Sequence, residues 1–286
     1  MFPQNVFPDT AEIDSQGRLV IGGCSASDLA EQYGTPVYVF DEATLRQRCR
    51  EFVREFQARS PGAQVLYASK AYINPALARI FHEEGLGLDV VSGGELAVVQ
   101  AAGCDLSRVY FHGNNKTPDE LAYAVSQGIG RVVVDSFHEL QLLNQIAADA
   151  GKVQDILIRV SPGIDPHTHA YTTTGIIDSK FGFSIQTGDA AKSIREALTA
   201  SNLRLRGLHF HLGSPIFELE PYAAATDLVL RFAAGFREEG LDLQEFSPGG
   251  GFAISYTREQ QPPAVAEYAE AITATMKATC QELGLT

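Results

Sequence analysis

The chain has 286 residues, 45% of them hydrophobic and 20% charged, so it can bury a large core in one or two domains. Its formal net charge is −13, and a negative field repels phosphate, which disfavours nucleic acid and anionic membrane surfaces as partners. No apolar run approaches the roughly 18 residues of a membrane span, and no secretory signal is visible. We therefore expect a cytoplasmic protein that acts on a small molecule.

Residues 1–40 differ in pattern from the rest of the chain. The string GRLVIGG (17–23) is typical of an isolated strand, SASDLAEQYG (25–34) of a short capped helix, and TPVYVF (35–40) of another strand. We predict that residues 1–40 form a separate small module and that residues 41–286 form the main domain.

In the main domain, apolar β-like runs alternate with helical segments. The runs are QVLYAS, GLGLDVV, SRVYFHG, GRVVVD, DILIRVS, LRGLHFH and LQEFSPGGG. Near-continuous apolar strands joined by helices are typical of a parallel sheet covered by helices. The sequence therefore predicts an α/β fold, a TIM-type (β/α)8 barrel in which strand eight is missing, because only seven such runs occur.

Polar and glycine residues gather at the C-terminal ends of these strands, where such barrels collect their functional groups. The residues are Lys70, Asp89, His112, Arg159, His209, His211, Gly213, Ser214 and the run Gly249, Gly250 and Gly251. We expect them to form one site.

Two interpretations of Lys70 stay open. A lysine at a strand end usually reaches solvent, and its position alone favours that interpretation. Partial burial would instead lower the lysine pKa below about 10.4 and provide the neutral amine that a Schiff base with a carbonyl cofactor requires.

Three further features each have a functional and a structural interpretation. The string SPGGGF (247–252) could cradle a phosphate with its backbone N–H groups, or it could be a tight turn. Asp89 and Arg159 could orient the lysine and each other, or form a structural salt bridge at the barrel mouth. The long segment 167–183 is typical of an active-site lid, with a surface excursion as the alternative.

The histidines raise the hypothesis of a metal site. His209 and His211 share one face of a strand, and His167 and His169 could join them. No carboxylate or third ligand stands at a recognisable spacing, so we expect no metal. A histidine lying flat against an aromatic cofactor explains the strand-end position equally well.

Taken together, these strings resemble the pyridoxal-phosphate-dependent decarboxylases with an alanine-racemase-like barrel, and among them the diaminopimelate decarboxylases. The similarity begins at YGTPVYVFDEATLRQR, continues through YASKAYINPALARIF and GLHFHLGS, and covers nearly all of residues 33–256. The strings FHGNNK and HTHAYTTTGIIDSKFGF resemble the diaminopimelate branch rather than the ornithine or arginine branches. The resemblance implies pyridoxal 5'-phosphate as cofactor and decarboxylation of meso-2,6-diaminopimelate to L-lysine and CO2, the last step of lysine biosynthesis.

The resemblance also implies roles for the catalytic positions. Lys70 would form the Schiff base with the cofactor, and His211 would lie against the pyridine ring. Asp89 and Arg159 would support the lysine and the ring region.

For the cofactor phosphate, the resemblance implies Ser214 and the loop of Gly249, Gly250 and Gly251. Members of this family continue with an eighth strand that carries a Glu-Pro-Gly-Arg string and with a C-terminal β-domain, and neither occurs in this sequence. We expect an incomplete form that is impaired alone, with residues 1–40 as a remnant of the β-domain and a homodimer in the complete protein. Two alternatives stay open: a decarboxylase of another basic amino acid, and a non-catalytic paralogue that binds pyridoxal phosphate.

Overall fold

The structure is a computed structural model that describes residues 5–164 and 180–285. Its N-terminal part is a small antiparallel sheet of β1 (Glu12–Ile13), β2 (Leu19–Ile21) and β3 (Cys24–Ser25), followed by helix α1 (Ala26–Tyr33). Helix α1 begins after Ser25, whose hydroxyl accepts the N–H of Asp28, and ends at Gly34 with a φ of 82°. These elements confirm the capped helix and a strand in the string GRLVIGG, although this strand, β2, is paired with β1 and β3 and is not isolated.

The strand predicted at residues 35–40 is wrong. No described strand pairs with this segment, and an unpaired extended segment leaves its backbone groups to water. Its apolar side chains are exposed as well, and Tyr38 is 92% exposed.

Seven parallel strands form the main sheet. They are β4 (Leu66–Ala68), β5 (Gly87–Val90), β6 (Val109–Phe111), β7 (Arg131–Val134), β8 (Gln154–Ser161), β10 (Leu203–His209) and β11 (Glu245–Ser247), paired in that spatial order. The predicted α/β barrel with seven strands is therefore confirmed, and among the described residues no eighth strand joins β4 to β11. A short additional strand, β9 (Phe183–Ser184), which the sequence did not reveal, pairs with the end of β8.

Eight further α-helices follow α1 in the described ranges. They are α2 (Glu42–Arg59), α3 (Pro75–Glu83), α4 (Gly93–Ala101), α5 (Pro118–Gln127), α6 (Phe137–Asp149), α7 (Asp189–Thr199), α8 (Glu220–Ala234) and α9 (Val265–Leu283). Five of them begin at a side-chain cap. The side chains of Asp41, Asn74, Ser92, Thr117 and Ser136 each accept a hydrogen bond from the backbone N–H three residues later. Within residues 5–164 and 180–285, none of the helices is apolar over a length that could cross a bilayer.

The helical layer closes at α9, which packs against both α8 and α2. Arg59 of α2 forms an ion pair with Glu270 of α9, at 2.8 Å. Phe52 and Phe56 of α2 pack on Phe252, which follows β11, with ring centres 5.8 and 6.0 Å apart. Helix α2, which precedes the edge strand β4, therefore contacts the segment that follows the other edge strand, β11.

Charged residues fill the N-terminal end of the concave face of the sheet. Glu245 at the start of β11 binds Arg131 at the start of β7, with 2.9 Å between Arg131 Nε and the carboxylate. The hydroxyl of Tyr110 on β6 donates to the same carboxylate at 3.1 Å, and Arg131 also pairs with Asp155 at 3.2 Å. Because β8 and β10 lie between β7 and β11, these contacts span the concave face.

Candidate active site

Polar side chains at the strand ends of the concave face form one layer. His209 of β10 is in register with Arg159 of β8 and with Ser247 of β11, so these three residues point to the same face of the sheet. Asp89 and His112 come from the ends of β5 and β6, and the rings of His112 and His209 meet with their centres 4.7 Å apart. The site therefore draws on strands at both ends of the sheet.

Two buried histidines stand at the centre of this layer. His112 and His209 meet edge to face. Nδ1 of His209 lies 2.8 Å from the hydroxyl oxygen of Ser247, and Nε2 of His112 lies 3.1 Å from Oδ1 of Asp89. Burial lowers the pKa of both imidazoles well below 6.5, so both rings are neutral at neutral pH.

The two predicted supporting residues, Asp89 and Arg159, take separate partners. Asp89 contacts His112, whereas Nη1 of Arg159 lies 3.7 Å from Oδ1 of Asp135. The Arg159 guanidinium also lies over the ring of Phe181, 4.6 Å from its centre. Sequence reasoning missed Asp135, although it ends the predicted strand GRVVVD.

Burial raises the pKa of Asp89 to about 8, against an opposing effect of the charges of Lys70 and Arg159. Of these two, the charge of Lys70 has the larger effect on this carboxyl. Asp89 and Lys70 are therefore electrostatically coupled, and Asp89 is largely protonated at neutral pH.

Lys70 follows β4 in a 3-10 turn, Ser69–Ala71. Its side chain is exposed, whereas the interpretation of Lys70 as a Schiff-base lysine assumed partial burial. The lysine charge still acts on Asp89, His209 and His211. Lys70 thus lies at the open side of the layer, where an incoming molecule can reach its amine.

The glycines after β11 have conformations that other residues rarely adopt. Gly249 and Gly251 have φ of 72° and 92°. A Cβ on Gly249 would lie 2.5 Å from the carbonyl oxygen of Phe210, and one on Gly251 would lie 1.9 Å from that of Gly213. A Cβ on Gly250 would meet nothing within 4 Å. The loop therefore approaches the loop after β10 closely at Gly249 and Gly251 and leaves free space only at the Cβ position of Gly250.

The predicted residues His211 and Ser214 lie in the neighbouring loop. The N–H of Ile216 donates to the carbonyl of Gly251 at 2.9 Å, which holds the two loops side by side. His211 is close enough that its Nδ1 would be 2.9 Å from a Cβ at Gly249, while Ser214 is exposed. Burial lowers the pKa of His211 to about 4, assisted by the charges of Arg159 and Lys70, so this imidazole is also neutral.

Sequence reasoning also missed a buried ion pair beneath the layer. The ammonium of Lys116 donates to Oε1 of Glu139 at 2.7 Å and to the carbonyls of Gly113 and Val133 at 2.6 and 2.8 Å. The other carboxylate oxygen of Glu139 accepts the N–H of Asp135 at 3.0 Å. The pair joins the loop after β6 to β7 and α6, and no spacing in the sequence links its two members.

These features fit a ligand that carries a phosphate and a polar aromatic ring. Ser69 Oγ, Asp89 Oδ1 and Asp135 Oδ1 are buried without a hydrogen-bond partner at the ends of β4, β5 and β7, and Oδ1 of Asp89 is near His112 without being aligned for a hydrogen bond. The glycine loop follows β11, which is the edge strand opposite β4. Across residues 5–164 and 180–285 no cluster suits a metal ion, and His167 and His169 of the metal hypothesis, like most of the 167–183 lid segment, lie outside the described residues.

Comparison with known proteins shows similarity to enzymes that bind pyridoxal phosphate. The family model described as "Pyridoxal-dependent decarboxylase, pyridoxal binding domain" matches residues 42–286. Diaminopimelate decarboxylase from Bacillus subtilis is 41% identical over 276 residues, which are 96% of this chain and 63% of that protein. The enzyme from Corynebacterium efficiens is 42% identical over 284 residues, 99% of this chain and 61% of that protein.

A solved structure agrees in fold. Diaminopimelate decarboxylase from M. jannaschii in complex with L-lysine superimposes with a TM-score of 0.90 and 32% identity, covering 100% of this chain and 65% of that one. The chain thus spans less than two thirds of the length of these three proteins. With residues 42–286 matched to its cofactor-binding domain, the chain belongs to the pyridoxal-dependent decarboxylase family, whose cofactor is pyridoxal phosphate.

Proposed function

We propose that this chain is the cofactor-binding part of a diaminopimelate decarboxylase, which converts meso-2,6-diaminopimelate to L-lysine and CO2. The observation that carries the proposal is the 41% identity with the Bacillus subtilis enzyme across 96% of this chain. Lysine bound in the related M. jannaschii structure supports an amino-acid ligand of this class. The lysine/ornithine decarboxylase of Vibrio vulnificus, at 24% identity, shares the fold alone.

In this reaction one carbon of the substrate loses CO2 and gains a proton. Pyridoxal phosphate, when bound, supplies the electron sink for the bond that breaks. Lys70 would hold the cofactor through its accessible amine, and Ser214 with Gly249, Gly250 and Gly251 would bind the phosphate through hydroxyl and backbone N–H groups. The neutral ring of His211, next to the glycine loop, would lie against the pyridine ring.

Asp89 and Arg159 would set the electrostatics around Lys70. Asp89 holds a proton at neutral pH because burial raises its pKa to about 8, so it can give or take that proton beside the lysine. Arg159 presents a charge suited to an anionic group of cofactor or substrate, and Asp135 and Phe181 limit its movement.

We also propose that the complete protein is a cytoplasmic homodimer. The four cysteines are free thiols, which suits a reducing compartment. Exposed apolar side chains at Val37, Tyr38 and Phe40 support a surface that is covered in an assembly.

The test is conversion of meso-diaminopimelate by the full-length protein with pyridoxal phosphate. We expect lysine and CO2 in equal amounts. In Lys70→Ala we expect the turnover rate to fall about 10²- to 10⁴-fold and the visible absorbance of the bound cofactor to be lost. Lys277→Ala, an exposed lysine on α9, is the matched control. Turnover of ornithine or lysine but not diaminopimelate would overturn the substrate, and cofactor absorbance without any turnover would favour a non-catalytic paralogue.

A further inference from the structure

Two buried tyrosines of the outer helical layer reach the two loops that face the proposed phosphate. Tyr222 of α8 is 0% exposed and Tyr268 of α9 is 1% exposed. The hydroxyl of Tyr222 donates to the carbonyl of Gly250 at 2.8 Å. The hydroxyl of Tyr268 donates to the carbonyl of Ile216 at 2.6 Å and accepts the N–H of Ala253 at 3.2 Å. Each loop is therefore tied to a helix by a side chain.

The bond from Tyr222 fixes the direction of one peptide plane. The peptide bond between Gly250 and Gly251 is trans, and in a trans peptide the N–H points away from the C=O. Because the Gly250 carbonyl is directed to Tyr222 of α8, the N–H of Gly251 is directed away from α8. A glycine peptide without this bond would be free to rotate.

Tyr268 acts on both loops together. Its hydroxyl joins the backbone of Ile216, after β10, to that of Ala253, after β11. The same two loops are joined by the hydrogen bond from Ile216 to Gly251. The spacing between Ser214 and the glycines is therefore set in part by a residue on the last helix.

Packing prevents the two rings from moving away. The ring centre of Phe252 lies 5.5 Å from that of Tyr222 and 4.8 Å from that of Tyr268, and the two tyrosine rings meet edge to face at 5.8 Å. Ile216 is fully buried in the same cluster. The hydroxyls thus stay in place in a dry environment, where a hydrogen bond is strong and its loss is costly.

We propose that Tyr222 and Tyr268 are positioning residues, which hold the backbone of the two loops in the arrangement that binds the phosphate of the cofactor. Neither tyrosine touches that phosphate. The inference rests on the proposed function, because it takes pyridoxal phosphate as the ligand of the loops.

The test compares two ligands that differ by the phosphate, pyridoxal phosphate and pyridoxal, titrated by absorbance against wild type, Tyr222→Phe and Tyr268→Phe. Phenylalanine keeps the ring and removes the hydroxyl. We expect Kd for pyridoxal phosphate to rise roughly threefold to tenfold in Tyr222→Phe, the effect of one lost hydrogen bond. We expect at least that rise in Tyr268→Phe, which loses two hydrogen bonds. We expect Kd for pyridoxal to stay unchanged, which also shows that the variant is folded.

Tyr123→Phe is the matched control, since its hydroxyl bonds Gln100 between α5 and α4. If both ligands weaken equally, or if Kd for pyridoxal phosphate does not change, the tyrosines do not position the phosphate loops and the inference fails. If wild type binds pyridoxal phosphate no more tightly than pyridoxal, the proposed function of the glycine loop fails, whatever the variants do.

Discussion

Lys116→Met tests the buried ion pair that supports the site. The side chains of Lys116 and Glu139 are 1% and 6% exposed, and the ammonium has three acceptors within 2.8 Å. Methionine fills a similar volume without charge, so Glu139 would remain as a buried carboxylate without its cation. Removing one partner of a buried pair costs about 3–5 kcal/mol of unfolding free energy.

The loss depends on pH in a defined direction. Burial raises the pKa of Glu139, and the charge of Lys116 opposes that rise, so the substitution raises the pKa further. A carboxyl whose pKa is higher in the folded state than in the unfolded state loses stability as pH rises. Lys116→Met should therefore be most unstable at high pH and recover as pH falls toward about 4.3, the ordinary pKa of glutamate.

The assay is urea unfolding followed by circular dichroism, at pH 5.5 and at pH 8, on the single variant and on Lys116→Met with Glu139→Gln. The second substitution removes the stranded charge and keeps an acceptor for Asp135, so it should recover a large part of the loss. Lys277→Met, at an exposed position, should change stability by about 0.5 kcal/mol or less. A Lys116→Met loss below about 1 kcal/mol, or a loss equal at both pH values, would refute the reasoning.

Two further predictions concern the concave face. Glu245→Gln weakens the contacts of β11 with Arg131 and Tyr110 across the sheet, and we expect it to lower the unfolding free energy by about 1–3 kcal/mol. If the variant is as stable as wild type in urea, the backbone hydrogen bonds alone hold this edge strand and the prediction is wrong. Because burial raises the Asp89 pKa to about 8, wild type should lose stability as pH rises from about 4 toward 8, and Asp89→Asn should not show this loss. The measurement is the unfolding midpoint of cofactor-free protein across that pH range. Parallel midpoint curves for wild type and variant would contradict the prediction.

The strands of the barrel could be predicted because each is an apolar run between helical segments. Such runs pair into a parallel sheet whose outer face is covered by the helices. The string TPVYVF, residues 35–40, has the same composition and forms no strand. Strand formation depends on a partner, and a local string does not contain its partner. The strand β9 was not predicted, because two residues are too short to show an alternation of apolar and polar side chains.

The sequence could indicate which end of the sheet carries the polar residues, but not which of these residues contact each other. The rule that strand ends converge located Lys70, Asp89 and Arg159 on one layer, because parallel strands share their C-terminal edge. It could not assign His112 to Asp89, since that contact depends on which strands are neighbours and on side-chain length. The tyrosine at 268 lies 52 residues from the carbonyl that it binds, and no periodicity in the sequence reports a contact at that distance.

In the polar layer, the accessibility of Lys70 differs from that of the charged and polar groups around it. Asp89, Arg159 and the histidines at 112 and 209 each contact a residue from another strand end, so the sheet register fixes their positions before any ligand arrives. Lys70 alone among the proposed catalytic residues combines an exposed side chain with this environment. If Lys70 holds the cofactor as proposed, its accessibility is what the chemistry requires, because an amine that must exchange one partner for another cannot be enclosed by the groups that tune it.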